Sequence, residues 1–127
     1  MMTGVDDSEG LYRSLREWIL ALPDVSEAPH RFGGTEFRVK GVEFMHSHGP
    51  SFLDIRLPMD DQGRVLREGK ALRHRFAPQA GWVSFRVLSE SDAERAKELV
   101  GLAYDRARKA VESHERRRSD TIEKTQV

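Results

Sequence analysis

The chain has 127 residues, enough for one ordinary domain that buries roughly two-thirds of the surface its unfolded form exposes. Lysine plus arginine equals aspartate plus glutamate at 21 each, so the general electrostatic pull behind non-specific nucleic-acid or anionic-membrane binding is missing. The absence of cysteine excludes disulfides, thiolate metal sites, iron–sulfur clusters and cysteine nucleophiles, and fits a reducing compartment.

Met1 to Gly10 is polar and acidic, without the apolar core of a signal peptide, and no stretch approaches the ~18 apolar residues of a membrane span. A cytoplasmic protein with no membrane partner is the expectation. After a flexible lead over 1–7, a helix is predicted from about Ser8 to Leu22. Asp6 and Glu9 form its capping box, and Leu11, Leu15, Trp18, Ile19 and Leu22 form its buried stripe. Pro23 ends it. Residues 24–34, with Pro29 and the Gly33-Gly34 pair, read as a shaped loop carrying His30 and Arg31.

From Thr35 the period changes to two. Phe37 and Val39 alternate with charged residues, Lys40-Gly41 makes a turn, and Val42, Phe44, His46 and His48 alternate with Glu43, Met45 and Ser47. A two-residue turn puts Val39 opposite Val42, Phe37 opposite Phe44 and Thr35 opposite His46, so the histidines are expected to continue the apolar face to its rim. Strands at 52–57 and 82–88 follow, with a short helix over Asp60–Gly69 and an edge strand over 71–76 that carries the basic run Arg73-His74-Arg75. Ser91 and Glu94 cap a long C-terminal helix whose stripe runs from Ala96 to Val111. Residues 112–127 offer little to bury and are expected to fray. The fold class is α+β. An antiparallel sheet of four to five strands has its N- and C-terminal helices packed on one face, in a single domain over 8–111. Exposed edge strands leave a homodimer open.

His46-Ser47-His48 carries the sharpest chemistry, because alternate positions on a strand project to one side. The two imidazoles can ligate a metal, with His30, His74, Asp54 or Glu43 as a third ligand. They can equally do acid–base work oriented by Asp54, Glu36 or Glu43, or be rim histidines satisfied by their neighbours. The candidate catalytic residues are therefore His46, His48 and Asp54. His30, Arg31, Gly33, Gly34, Glu36, His46, His48 and Trp82 are the candidates for holding a small-molecule ligand. Ser47 and Ser84 lie on strands outside any Gly-x-Ser-x-Gly elbow, which argues against acyl transfer. There is no phosphate-cradling glycine motif and no identifiable cofactor. Trp82 and Phe52, on the faces opposite their strands' aliphatic residues, can flank a ligand.

Pro29 to Arg38, Glu43 with His46-Ser47-His48-Gly49, Asp54, Leu57-Pro58 and Gly81 to Phe85 resemble small bacterial and fungal domains known as luciferase-family proteins. That resemblance covers about residues 11–110 and implies a domain whose biochemical role is undefined. The layout is also similar to MmcQ/YjbR-like domains, through Leu22-Pro23, Phe32 to Val39, Gly81-Trp82-Val83 and Ala103-Tyr104. This second resemblance implies a CyaY-like α+β fold and, for some members, DNA binding, a role that the zero net charge of this chain does not favour. The resulting expectation is a ligand- or partner-binding module with a pocket near the His-x-His strand end. A histidine-dependent enzyme, with or without a metal, is the alternative.

Overall fold

A computed structural model describes residues 7–30, 33–73 and 80–125. The Asp6 cap, Arg31, Phe32, His74 and Arg75 lie outside the described residues. In chain order the elements are α1 (Ser8–Leu20), β1 (Val25–Pro29), β2 (Thr35–Val39), β3 (Val42–Ser47), β4 (Phe52–Arg56), α2 (Met59–Arg67), β5 (Leu72–Arg73), β6 (Trp82–Arg86) and α3 (Glu90–Thr125). The strands form one antiparallel sheet in the order β1-β2-β3-β4-β6-β5. The α+β architecture read from the sequence is what the structure has, with an additional strand at one edge.

That strand, β1, occupies part of the segment expected to be a loop. It has no period of its own, and all five of its residues pair with β2, from Val25 opposite Val39 to Pro29 opposite Thr35. Pro29 closes it at the sheet edge, where a missing amide costs no ladder bond. Arg16 of α1 reaches Glu27 of β1 in an ion pair, fixing the edge to the first helix.

Helices α1 and α3 pack on each other and on one face of the sheet. Phe37, Val39, Phe44, Met45, Leu53, Ile55, Val83 and Phe85 meet Leu15, Ile19, Ala96, Val100 and Ala103 in one core. Phe44 stands edge-on to Tyr104, with ring centroids 5.9 Å apart, and the Tyr12 and Ser47 hydroxyls lie 2.9 Å apart. The first turn of α3 is capped two residues earlier than expected. The Ser89 hydroxyl accepts the Asp92 amide at 3.1 Å, and the Asp92 carboxylate accepts the Leu88 amide at 2.9 Å. The expected fraying beyond Glu112 is also corrected, because α3 remains helical to Thr125, well past its last buried residue, Ala107. Glu112 and Arg116 stand four apart, the spacing at which charges support an exposed helix. Thr121 donates its hydroxyl back to the Arg117 carbonyl at 2.9 Å.

The hairpin β2–β3 decides where the site lies. Its turn is as expected: Val39 faces Val42, and Lys40 and Gly41 both have positive φ, 48° and 84°, as a two-residue hairpin turn requires. Beyond the turn the register shifts. Arg38 pairs with Glu43, but Phe37 pairs with Met45, leaving Phe44 as an extra residue in a β-bulge. Phe44 and Met45 are consecutive and both are buried. The bulge reverses the alternation counted from the turn, so His46 stands opposite Glu36 and Thr35 opposite Ser47. The expectation that the histidines continue the core face is thus overturned: they project from the other side of the sheet.

Candidate functional site

Across that other side, the ladder sets Glu36 beside His46, His46 beside Asp54 and Asp54 beside Ser84. One polar row therefore crosses β2, β3, β4 and β6. Each member is buried, with relative exposures of 8% for Glu36, 6% for His46, 5% for Asp54 and 7% for Ser84. Burying four such groups side by side is costly unless every one is partnered. Among the described residues no buried side-chain polar atom lacks a partner.

His46 is the hub. Its Nδ1 lies 3.0 Å from Glu43 Oε2 and its Nε2 lies 3.0 Å from Asp54 Oδ2, so each ring nitrogen faces a carboxylate. Burial pulls the imidazole pKa down, but the hydrogen bonds and charges of Asp54 and Glu43 outweigh it and push the pKa up to about 9. At neutral pH His46 is an imidazolium that donates to both carboxylates. The His30 ring stacks on it at 4.0 Å between centroids, and Trp82 tilts against it at 5.1 Å.

His48 sits just past the end of β3, with its side chain 37% exposed, and its Nε2 is 3.2 Å from the same Asp54 Oδ2. Burial and the neighbouring His46 cation push its pKa below the ordinary value, outweighing the Asp54 charge. The imidazole is neutral at pH 7. Asp54 itself is held in place by the Ser84 hydroxyl, which donates to Oδ1 at 2.7 Å. On the far side, His30 Nδ1 lies 3.1 Å from Glu36 Oε1 and 3.6 Å from Glu43 Oε2. Arg38 donates to Glu36 Oε2 at 2.6 Å. Burial raises the Glu36 pKa, but the hydrogen bonds from Arg38 and His30 win and hold it below the usual carboxylate range.

Backbone shape contributes as well. Gly34 has φ +84°, and a Cβ there would lie 1.9 Å from the Ser47 carbonyl oxygen, so glycine lets the start of β2 approach the strand end that carries His48. Gly33, with φ +94°, has open space around it and serves the turn, where its amide donates to the His30 carbonyl at 2.9 Å.

The structure thus brings together His30, Glu36, His46, His48, Asp54 and Trp82 among the candidates, with Gly33 and Gly34 shaping the approach. Arg31 and the alternative ligand His74 lie outside the described residues. Glu43, weighed only as a third metal ligand or orienting carboxylate, proves to be the second clamp on His46. Ser84 and Arg38 were missed as support for the site. The signal for Ser84 was present in the alternation of β6, which puts Trp82, Ser84 and Arg86 on the face opposite Val83 and Phe85. Among the described residues, two sets of donor atoms lie within 4.8 Å of one another and can hold a metal ion, His46 with His48 and Asp54, and His30 with Glu43 and His46.

These features define an α+β domain with a histidine–carboxylate cluster on the sheet face opposite its core. Residues 41–103, a span that includes Glu43, His46, His48, Asp54, Trp82 and Ser84, match the family model of the Luciferase domain. The match supports the luciferase-family resemblance carried by the motifs. No curated protein matches the chain. No helix among the described residues is long and apolar enough to cross a membrane.

Proposed function

We propose that this sheet face binds a small molecule and removes a proton from it, with His48 as the acceptor. The observation that carries the reading is that two imidazoles, His46 and His48, share one buried carboxylate oxygen, Asp54 Oδ2. Asp54 engages His48 through Nε2, which selects the tautomer with Nε2–H and leaves the Nδ1 lone pair as the base. When the substrate C–H or O–H bond breaks, its proton goes to Nδ1 and its electron pair stays on the substrate. Asp54 then faces an imidazolium, and His46, cationic at neutral pH, opposes the negative charge that develops nearby. Ser84 and Glu43 act through Asp54 and His46 as positioning residues.

The test is deuterium uptake. In heavy water, the protein should accelerate exchange at the acidic carbon of one or more compounds in a panel of β-dicarbonyl and α-keto acids, and His48→Gln should abolish the acceleration. Exchange no faster than buffer across the panel, or unchanged in His48→Gln, would sink the reading.

A second reading is favoured by the donor spacing, in which His46, His48 and Asp54 hold a divalent metal ion. A metal would have to displace the His46 proton. Metal content after exposure to zinc and dialysis, compared between the wild type and a His46→Ala/His48→Ala variant, separates the two readings. Near-zero metal in both removes the second.

A further inference from the structure

One step along the strands from the polar row lies a second row on the same face: His48, then Phe52 on β4, then Arg86 on β6. Phe52 and Arg86 are direct ladder partners, and the His48 amide donates to the Phe52 carbonyl at 2.9 Å. The Arg86 guanidinium lies 5.3 Å from the centre of the Phe52 ring, and the His48 ring lies 6.3 Å from the same ring on the opposite strand side. With strands about 4.8 Å apart, the backbones carrying the base and the cation are about 10 Å apart. A small organic molecule laid over Phe52 spans that distance.

Several arginines of the sheet and its helices are already committed. Arg16, Arg38, Arg64 and Arg108 each pair with a carboxylate, and Arg56 donates to the Ala80 carbonyl. Arg86 is exposed and, among the described residues, meets no carboxylate, and its guanidinium lies over the Phe52 ring. A guanidinium oriented by an aromatic face keeps its planar donor fork available to an incoming anion. The acidic side chains of this face, Glu36, Glu43 and Asp54, are engaged by Arg38, His30, His46, His48 and Ser84. Among the described residues, an anion that reaches the Phe52 end of this face meets Arg86, a cation with no carboxylate on it.

We infer that Arg86 is the anion-binding subsite of this face, so that the ligand is a small organic acid. Its carboxylate or phosphate sits on Arg86, its body covers Phe52, and its reactive end reaches His48. The inference names the chemical class of ligand for the site proposed above and rests on that site being where the ligand binds. It does not require that His48 remove a proton.

The experiment is a binding titration followed by the ring resonances of His48 and Phe52, using three probes of similar shape: benzoate, phenyl phosphate and benzyl alcohol. Benzoate or phenyl phosphate should shift both rings saturably and benzyl alcohol should not, and whichever anion binds tighter identifies the charged group. Arg86→Gln should weaken anion binding by roughly tenfold or more, as expected for loss of a charge-assisted bidentate contact, while Arg86→Lys should retain part of it. Because Arg86 is exposed, both variants should keep the wild-type melting temperature, which excludes misfolding as the cause. His48→Gln should still bind the anion, so failure of proton abstraction and failure of anion recognition give different results. Equal binding of benzyl alcohol, no binding of either anion, or an anion affinity unchanged in Arg86→Gln would overturn the inference.

Discussion

Raising the pH above neutrality should remove stability through a single ring. His46 holds its second proton with a pKa of about 9 in the folded protein, against an ordinary 6.5 for a histidine in an unfolded chain. At 1.36 kcal/mol per pKa unit, the difference corresponds to about 3 kcal/mol of native-state preference for the protonated ring. With the His46 side chain only 8% exposed, solvent screening takes little of that away. The sign follows from linkage. The folded pKa is raised, so the contribution is fully present below pH 6.5 and is lost as the pH climbs through 9. His48 works in the opposite sense, because its folded pKa is depressed, but its penalty appears only below its ordinary value and so outside this window. The Glu36 contribution, from a depressed carboxylate, is lost only in acid. Urea denaturation at about pH 6.5 and about pH 9.5 should therefore give a difference approaching about 3 kcal/mol in the wild type and much less in His46→Gln. A wild-type stability that is flat across the interval, or an identical slope in His46→Gln, would refute the reasoning.

Ser84→Ala removes the hydroxyl that donates to Asp54 Oδ1 at 2.7 Å, and should cost about 1–3 kcal/mol in the same denaturation assay, as for other buried acceptors left short of a donor. Gly34→Ala drives a methyl group to within 1.9 Å of the Ser47 carbonyl at a positive φ. It should destabilise by at least ~1–3 kcal/mol and perturb the His48 resonances, and an unchanged melting temperature with unchanged His48 shifts would contradict that geometry. Ending the chain at Val111 removes residues of which none described is buried, together with the exposed Lys40–Glu115 pair. The melting temperature should change little while far-ultraviolet circular dichroism loses the signal of the distal helix, and a large drop in melting temperature would show that the segment packs.

Much of this molecule could be read from its sequence because its strands obey strict alternation. Leu53 and Ile55 against Phe52, Asp54 and Arg56, and Val83 and Phe85 against Trp82, Ser84 and Arg86, fall on the faces that the pattern assigns. The Lys40-Gly41 turn and the apolar stripe of α1 were equally plain. Three features were not. Strand β1 is made by its partner: Ser26, Glu27 and Pro29 are exposed, so its residues bury too little to impose a period. The distal part of α3 buries no described residue, so it leaves no apolar stripe to read. The bulge at Phe44 could not be weighed against a regular ladder, because adjacent apolar residues also suit a strand whose second face is partly covered. That one misplaced residue put His46 opposite Thr35 instead of Glu36, and so hid the convergence of Glu36, His46, Asp54 and Ser84 until the pairing was seen.

The same bulge leaves β3 with one residue more than its ladder needs. If Phe44 were deleted, Met45 would still pair with Phe37 and His46 with Glu36, and the strand would simply run straight. Glu36, His46, Asp54 and Ser84 would keep their order across the strands, while Glu43 would stand two residues from His46 instead of three. What would go is the aromatic contact with Tyr104, and with it the link from the hairpin through the Tyr104 hydroxyl to the Pro23 carbonyl, 2.9 Å away in the turn between α1 and β1. Phe44 is thus a rivet fastening the sheet to α3, inserted without disturbing the order of the polar row on the reverse side. Attachment and reactivity sit on neighbouring residues of one strand and on opposite faces of one sheet.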